Sequence, residues 1–357
     1  MVNESKRFKA CLTALKQLRQ ELEEKENNPE APRLSQMHLR IVSHNNFPTA
    51  AGLASSAAGF AALVRAIADL YELPQSPSEL SRIARLGSGS ACRSLMGGYV
   101  AWDKGVEEDG RDSIAQQVAT EAHWPMKAAI LVVSASKKTV SSTDGMQHTV
   151  ATSELFTRRS RTLVPSRMDK MQKAIQERDW DLFASLTMRD SNTFHAVCLD
   201  TYPPIFYLND TSRAIIQLIH ELNRVANKVV AAYTFDAGPN AVIYYLPENE
   251  AWIISLLRNC FEEAVGIDHL PELNPAKGES ILHPGFNMRF AEAVAGKVSR
   301  IILTEVGPGP QKLGTEDSLI DEMGEPKGSE GLTMFHEGHQ RLKEPSELEL
   351  PRTQPHP

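Results

Sequence analysis

Residues 48–59 read PTAAGLASSAAG, a loop of small residues that turns into an alanine-rich helix through the adjacent serines Ser55 and Ser56. A helix start carries unpaired backbone N–H groups and partial positive charge, and small residues let an anion approach them. The stretch therefore predicts a phosphate-binding helix start, with a hydroxyl available to a metal or a phosphate oxygen. The alternative is a plain helix start with two capping serines. No Gly-Lys-Ser/Thr follows, so this is not a Walker A loop.

A second glycine-serine turn follows at residues 87–90, which read GSGS, and Arg93 comes three residues after it. Two hydroxyls on a glycine turn beside an arginine can grip a phosphate or a carboxylate, because the planar guanidinium matches both anions. A polar turn with a surface arginine is the alternative interpretation.

Three further places carry residues that are able to do chemistry. Asp236 lies between an apolar strand and Gly238-Pro239, where it is either a turn residue or, in a cleft, a base. The polar loop 136–145, with Lys137, Lys138 and Thr143, could hold a diphosphate or could simply be solvated. His195 and Cys198 lack further ligands at zinc spacing, which argues against a metal site there.

The bulk composition is that of a soluble globular protein, with 41% hydrophobic and 23% charged residues in a chain of 357. The net charge of −7 argues against nucleic acid or an anionic membrane as the main partner. Four cysteines without CxxC spacing indicate free thiols in a reducing compartment. No apolar run reaches transmembrane length, so we expect no membrane insertion and a cytoplasmic location.

Periodicity along the chain predicts a mixed α+β protein of two domains, with a boundary near Trp124-Pro125. Helices are expected over 5–25, 55–71, 76–87, 166–178, 180–189, 210–225 and 249–265. Strands are expected over 37–42, 99–102, 128–133, 228–234, 241–246 and 299–306. From about residue 313 the chain becomes acidic and rich in Pro and Gly, and we expect a disordered tail.

Taken together, four motifs resemble those of the diphosphomevalonate decarboxylase family, in the fungal style. They are NNFPTAAGLASSAAG at 45–59, GSGSACRS at 87–94, YTFDAGPNA at 233–241 and VGPGP at 306–310. The motifs are long and stand in the family's order and spacing, and the resemblance runs from about residue 5 to about residue 325.

The resemblance implies the GHMP kinase fold. Residues 1–125 would form a ribosomal protein S5 domain 2-like domain, 126–315 a ferredoxin-like domain, and 316–357 a tail outside both. It also implies ATP-dependent decarboxylation of mevalonate 5-diphosphate to isopentenyl diphosphate, with ATP and Mg²⁺ required. Family members are commonly homodimers, so a homodimer is expected.

The family's roles fall on matching residues of this sequence. Asp236 corresponds to the base that deprotonates the 3-hydroxyl of the substrate, and Arg93 to the residue that orients its carboxylate. Ser56 corresponds to the serine that faces the ATP phosphates and magnesium. The resemblance further assigns the nucleotide phosphates to Ala51, Gly52, Leu53, Ala54, Ser55 and Ser56, and the substrate to Arg7, Ser88, Gly89, Ser90, Ala91, Cys92, Arg93 and Thr143.

Full-length members of the family begin several dozen residues earlier, and a Lys-Tyr-Trp-Gly-Lys segment of theirs does not occur in this sequence. On this reading the first domain lacks its opening strands, and we expect an unpaired sheet edge. Two alternatives to an active decarboxylase therefore stay open at this point. One is a non-catalytic homologue that dimerises or binds nucleotide, and the other is a sister kinase that phosphorylates without decarboxylating.

Overall fold

The computed structural model describes residues 5–47, 53–134, 140–274 and 282–327. The helices in these ranges are α1 (Lys6–Glu26), α2 (Ser55–Leu70), α3 (Pro77–Gly87), α4 (Ser142–Thr152), α5 (Glu154–Arg158), α6 (Val164–Glu177), α7 (Trp180–Asp200), α8 (Asp210–Ala226), α9 (Glu250–Cys260) and α10 (Arg289–Glu292). The strands are β1 (Tyr99–Trp102), β2 (Ala115–Ala119), β3 (Lys127–Val132), β4 (Ala232–Phe235), β5 (Ala241–Tyr245) and β6 (Arg300–Glu305). The predicted α+β class is confirmed.

The strands form two antiparallel sheets within the described ranges. Strands β1 and β2 pair with each other, and the larger sheet has the order β4-β5-β3-β6. Leu131 lies opposite both Ala241 and Ile301, so β3 is hydrogen-bonded on both sides. Strand β4 pairs only with β5 and forms one edge of the larger sheet.

Helices cover both faces of the larger sheet, one of which is buried and the other half-buried. Apolar side chains of α8 and α9, such as Ile215, Leu222 and Ile253, pack with Ile243 of β5 in one core. On the other face, Tyr244 meets the ring of Phe183 from α7 edge-on, with 5.9 Å between centroids. This sheet therefore gives the Asp236 turn, which leaves β4, a rigid base.

A line of aromatic rings joins the two sheets. Tyr99 of β1 stacks on Trp124 at 6.1 Å, and Trp124 meets Phe183 edge-on at 5.6 Å. Both geometries are favoured by the quadrupoles of the rings. The hydroxyl of Tyr99 also donates to the carbonyl of Trp124 at 2.7 Å. The residues around the predicted domain boundary are thus packed rather than loose.

The chain forms two compact units. The first comprises Met1–Met37 and Asn45–Gln311, and it contains every helix and strand given above. The second comprises His38–His44 and Lys312–Pro357, where Arg40 forms a 2.5 Å ion pair with Glu325. Residues 316–327 of the expected tail form a short 3-10 turn and an isolated bridge. The division at residue 125 and the disorder of the tail stay predictions, since residues 328–357 lie outside the described ranges.

The strand predicted over residues 37–42 is wrong. Within the described chain these residues form no strand and pair with none. Met37 and Ile41 are 47% and 40% exposed, so the alternating side chains have no core to face. Alternation indicates a strand only where a neighbouring strand takes up its N–H and C=O groups.

Helix α1 is fixed to the rest of the first unit by a buried ion pair. Arg19 donates to Glu23 at 3.0 Å and to the carbonyl of Tyr71, beyond the end of α2, at 3.0 Å. Glu23 also accepts from the backbone and the hydroxyl of Ser35. Burial acts to raise the pKa of Glu23, but the bonds from Ser35 and the charge of Arg19 lower it overall. Helix α1 matters to the site because it carries Arg7.

We expect Glu23→Ala to lower the free energy of unfolding by about 3 kcal/mol, because the buried guanidinium of Arg19 loses its 3.0 Å partner and keeps only the Tyr71 carbonyl and a longer ion pair to Glu26, at 3.8 Å. Urea unfolding at neutral pH measures this. Because the pKa of Glu23 is lowered on folding, its contribution is present above the ordinary carboxyl range and is lost as the pH falls through the lowered value. Exposed Glu24 on the same helix is the matched control, and a Glu24→Ala effect as large as that of Glu23→Ala would contradict the argument.

The four cysteines, Cys11, Cys92, Cys198 and Cys260, are free, as the sequence predicts, and the structure buries all four. Burial raises the pKa of the thiols of Cys11 and Cys198 to about 11 and that of Cys260 to about 12. The pKa of Cys92 is raised for the same reason. Among the described residues, no helix has the length and apolar character that crossing a membrane requires.

Candidate active site

Helix α2 begins in an unusual way. Its N-cap, Ala54, has φ 58° and ψ 27°, and among the described residues no side-chain hydrogen bond caps the helix there. The carbonyl of Ala54 accepts from Ala57 at 2.9 Å and from Ala58 at 3.1 Å, so Ser55 and Ser56 are the first helical residues. The alternative interpretation, a plain helix start with two capping serines, does not match this geometry. A left-handed alanine costs on the order of 1 kcal/mol, and such strain is concentrated at functional sites.

The hydroxyl of Ser56 faces the second glycine-serine turn. The Oγ atoms of Ser56 and Ser88 lie 3.2 Å apart. Helices α2 and α3 can approach this closely because Gly87 ends α3: a Cβ there would stand 2.1 Å from the Phe60 ring. The structure thus brings the two serine motifs, 32 residues apart in sequence, into one place.

The segment after Ser88 is a 3-10 helix, Gly89–Leu95, that presents Arg93 to solvent. The guanidinium carbon of Arg93 lies 5.8 Å from the ring centroid of Trp102 on β1. Ala91 and Cys92 are fully buried, main chain included. Gly89 and Ser90 are half-buried, as is Ser88.

Asp236 is an exposed carboxylate on a turn held from both sides. Its carbonyl accepts from the N–H of Gly238 at 2.8 Å, and the hydroxyl of Ser212 donates to the carbonyl of Pro239 at 2.9 Å. The side chain of Asn240 accepts from the backbone of Val133 at 2.8 Å, just after β3. The neighbours Phe235 and Ala237 are buried. Asp236 is thus a solvent-facing acid on a rigid support.

Arg7 and Thr143 meet across 136 positions of sequence. The guanidinium of Arg7 donates to Oγ1 of Thr143 at 2.5 Å. Thr143 stands in the first turn of α4, which Ser141 caps through the N–H of Asp144 at 3.1 Å. The site's predicted diphosphate contacts are therefore an arginine and a hydroxyl on two facing helices.

Two sets of contacts connect these groups. The thiol of Cys11, one turn after Arg7, donates to the carbonyl of Ile83 at 3.3 Å and lies against the backbone of Gly87. This places the Arg7 end of α1 beside the serine turn. On the other side, Val140 packs in the same small apolar cluster as Ala237. The start of α4 therefore lies beside the Asp236 turn.

Electrostatic interactions agree with this arrangement. Burial raises the pKa of Tyr207 to about 12, and the charges of Asp236 and Asp144 act in the same direction. Burial raises the pKa of Tyr244 on β5, which the charge of Arg93 opposes. Arg93 is thus within electrostatic reach of β5, and Asp236 within reach of Tyr207.

Some predicted groups are not brought together. Among the described residues, no hydrogen bond or ion pair joins Asp236 to Arg93, Ser56 or Thr143. Ala51, Gly52, Lys137 and Lys138 lie outside the described ranges. Leu53 and Ser55 are half-buried at the start of α2, and Ala54 is exposed.

The C-terminal glycine motif joins the two sheets. The N–H of Gly98 donates to the carbonyl of Gly307 at 2.8 Å, just before β1. A Cβ on Gly97 would lie 2.2 Å from the carbonyl carbon of Pro308, so only glycine allows the two backbones to touch. The chain after β6 is thereby anchored beside the segment that carries Arg93.

Sequence reasoning missed three supporting residues: Trp102 beneath Arg93, Tyr207 beside Asp236, and Ser191 on α7. Ser191 accepts from the N–H of Phe235 at 3.2 Å. Its spacing of four from His195 on a helix was the available signal. The described residues contain no cluster of three or more His, Cys, Asp or Glu side chains that could hold a metal, including around His195.

Sequence comparison identifies both halves of the chain. The family model described as Diphosphomevalonate decarboxylase-like N-terminal domain matches residues 1–115. The model described as Mevalonate 5-diphosphate decarboxylase C-terminal domain matches residues 128–313. The diphosphomevalonate decarboxylase of Aspergillus fumigatus is 55% identical over 328 residues, which are 91% of this chain and 80% of that protein.

Solved structures agree. The X-ray crystal structure of a mevalonate 5-diphosphate decarboxylase matches with a TM-score of 0.81 and 53% identity, over 90% of this chain and 82% of that one. A structure titled as MDDEF in complex with MVAPP, AMPPCP and magnesium matches with a TM-score of 0.52 and 31% identity. That match covers 59% of this chain and 64% of the other.

Proposed function

This chain belongs to the diphosphomevalonate decarboxylase family, the carboxy-lyases of the mevalonate pathway (EC 4.1.1.33), and we propose that Asp236, Arg93 and Ser56 carry the reaction in it. Its fold is the GHMP kinase fold. The reaction converts mevalonate 5-diphosphate and ATP to isopentenyl diphosphate, ADP, phosphate and carbon dioxide. The non-catalytic alternative is not favoured, because identity to curated decarboxylases extends over 91% of the chain.

The observation that carries the proposal is the exposed carboxylate of Asp236 on a turn fixed by Ser212 and Asn240. A tertiary alcohol is a poor leaving group, so the 3-hydroxyl is first phosphorylated. Asp236 takes the proton of that hydroxyl as its oxygen bonds to the γ-phosphorus of ATP and ADP leaves. Phosphate then leaves as the C3–O bond breaks. Carbon dioxide leaves as the C1–C2 bond breaks, and the electron pair of that bond forms the C2–C3 double bond.

Arg93 orients the substrate carboxylate. Its guanidinium presents a planar pair of donors to a carboxylate, and the Trp102 ring 5.8 Å away restricts the plane it adopts. Holding the carboxylate in line with the breaking C3–O bond is a positional effect that lowers the barrier. The ion pair between Arg93 and the substrate carboxylate breaks only when the carboxylate becomes carbon dioxide.

Ser56 and the start of α2 face the ATP phosphates, together with Leu53, Ala54 and Ser55. The same role is proposed for Ala51 and Gly52, which lie outside the described ranges. Magnesium keeps several waters and takes few protein ligands beside substrate phosphates. An exposed hydroxyl at a helix start, without a carboxylate cage among the described residues, fits that mode. Bound there, the ion would neutralise phosphate charge. The neighbour solved with AMPPCP and magnesium supports both requirements.

Ser88 and Ser90 contact the substrate, and they form the substrate-binding segment together with the neighbouring Gly89, Ala91 and Cys92. Arg7 and Thr143 hold its diphosphate, since an arginine and a hydroxyl 2.5 Å apart can share one phosphate.

The family further supports a homodimer, and four free thiols support a cytoplasmic location. Sedimentation of the purified protein tests the first, and localisation of a tagged chain tests the second.

The test of the function is an assay of carbon dioxide released from mevalonate 5-diphosphate by the purified chain, with and without ATP and Mg²⁺. We expect release that requires both, with one ADP per carbon dioxide. A stable phosphorylated acid as the product would indicate the sister kinase instead. Cooperative unfolding shows that the purified chain is folded. If that folded chain shows no turnover while an N-terminally extended version is active, activity of this form is refuted.

We expect Ser56→Ala to reduce kcat/KM for ATP by about 10- to 100-fold, the range for losing a hydrogen bond to a charged group. Steady-state kinetics with varied ATP at saturating substrate measures it. Ser94→Ala, at an exposed serine on the neighbouring 3-10 helix, is the control. An unchanged ATP dependence in Ser56→Ala would remove Ser56 from the nucleotide site.

A further inference from the structure

Two side chains of α7 contact the backbone of Phe235, the residue before Asp236. Its N–H donates to Oγ of Ser191 at 3.2 Å, and its carbonyl lies 3.4 Å from Nε2 of His195. Ser191 and His195 are four residues apart, so they stand on the same face of the helix. Both are buried, with exposed fractions of 5% and 6%.

These contacts with the Phe235 backbone follow from the place of β4 in the sheet. Strand β4 is an edge strand, with Phe235 opposite Ala241 of β5. Backbone groups of alternate residues on an edge strand face away from the only neighbouring strand and need another partner. Ser191 accepts one of these groups and His195 approaches the other, so α7 acts where a further strand would.

His195 meets the carbonyl as a neutral ring. Burial lowers the pKa of His195 to about 4, although the Phe235 carbonyl and Asp236 act to raise it. At neutral pH the ring is therefore uncharged, and the Phe235 carbonyl beside Nε2 favours the tautomer that carries its proton there. The ring is also held sideways, edge-on to Phe194 at 4.9 Å and to Phe235 at 6.3 Å between centroids.

Helix α7 is itself anchored beside these residues. Asp190 accepts two bonds from Arg159, both at 2.8 Å, and one from Arg167 at 2.9 Å. Burial acts to raise the pKa of Asp190, and the two arginines lower it overall. The side chains that contact Phe235 therefore stand on a fixed helix.

We propose that His195 and Ser191 are positioning residues for the decarboxylation: they fix the peptide between Phe235 and Asp236, and thereby aim the carboxylate of Asp236 at the 3-hydroxyl of the substrate. The inference rests on the role proposed for Asp236. On the other side of that residue, its carbonyl is already fixed by Gly238 at 2.8 Å. With both flanking peptides held, the carboxylate has only its own side-chain torsions to adjust.

The experiment compares four variants by kcat, by KM for each substrate and by thermal midpoint. His195→Phe keeps the ring volume but removes the donor, and Ser191→Ala removes the acceptor. His195→Gln restores an N–H near the position of Nε2. The matched control is Asn223→Ala, because Asn223 binds the backbone of Val230 and Ala231 just before the other end of the same strand.

We expect His195→Phe to lower kcat about 100-fold with KM little changed, since a misplacement near 1 Å costs about that much. Ser191→Ala is expected to act in the same direction, and His195→Gln to regain most of the loss. Asn223→Ala should lower the thermal midpoint and leave kcat unchanged. Equal kcat in His195→Phe and Asn223→Ala at matched stability would overturn the proposal, as would failure of His195→Gln to exceed His195→Phe. If His195→Phe does not fold, Ser191→Ala and His195→Gln decide.

Combining the variants with Asp236→Asn separates the two proposals. If Asp236 is the base and His195 acts through it, His195→Phe should cause no further loss in the Asp236→Asn background. A full additional loss there would overturn the positioning role and leave that of Asp236 intact. An active Asp236→Asn enzyme would overturn the role of Asp236 itself.

Discussion

Replacing Asp236 with asparagine is expected to lower kcat by about a thousandfold or more, equivalent to several kcal/mol of barrier. Asparagine keeps the shape of the side chain but cannot accept the proton of the 3-hydroxyl. Asp236 is exposed, and its turn is held by Gly238, Ser212 and Asn240 through other atoms. We therefore expect the thermal midpoint and the KM values to change little. Steady-state release of carbon dioxide and ADP measures the effect.

The control for this substitution is Asp109→Asn, at an exposed carboxylate in the loop between β1 and β2. It should leave kcat at the parental value. Asp236→Asn with near-parental activity would mean that another group takes the proton. Loss of carbon dioxide release with continued ADP formation would instead separate phosphorylation from decarboxylation, and would assign Asp236 to the later step.

Arg93→Ala is expected to cost about a thousandfold in kcat, because the substrate carboxylate loses both its charge partner and its alignment. KM for mevalonate 5-diphosphate should rise, while KM for ATP should hold. Arg93→Lys keeps the charge, but it lacks the planar fork and stacks poorly on Trp102, so it should recover only part of the activity. Kinetics with each substrate varied in turn distinguish these effects.

Arg111→Ala is the matched control, since Arg111 is exposed and its ion pairs, with Glu107 at 3.2 Å and with Asp109 at 3.9 Å, lie at the surface. Its removal should leave both KM values unchanged. If Arg93→Lys were as active as the parent, charge alone would suffice and the orienting role would be refuted. If Arg93→Ala raised only KM, Arg93 would bind the substrate without acting in the chemical step.

Elements with strong local signals were predictable from the sequence. The capping box of Ser76 and Glu79, with Pro77 at the first helical position, marks the start of α3 as the structure has it. The apolar run that became β3 and the runs that became β5 and β6 were long enough to be recognised. These features depend on neighbours in sequence, where propensity and periodicity carry information.

Elements that depend on distant partners were missed or misjudged. Strand β2 has the sequence AQQVA, and it forms because β1 pairs with it and the side chain of Gln117 donates to the carbonyl of Gly97 at 2.8 Å. Helix α4 begins inside what looked like a polar loop, and Ser141 caps it. Helix α7 continues to Asp200, well beyond the predicted end at 189, since its polar residues bind β4 rather than solvent. None of these partners is visible from local sequence.

The candidate site divides in the same way. The serines and glycines around Ser56 and Ser88 are readable as an anion site, and the structure joins them at 3.2 Å. The pairing of Arg7 with Thr143 spans 136 positions, and only the family resemblance pointed to both residues. The roles assigned to these residues remain predictions, and the substitutions above test them.

The reaction rates of the four buried thiols with an alkylating reagent report local and global unfolding of the chain. A thiolate is the form that alkylating reagents attack, and these thiols are both hidden and shifted to high pKa. Modification at neutral pH therefore proceeds only through molecules that have locally or globally opened. Cys11 and Cys92 lie in the helices around the serine motifs, and Cys198 and Cys260 in the helices beside the large sheet. Mass spectrometry of the labelled peptides thus reads the opening free energy of each half separately, without introducing a probe.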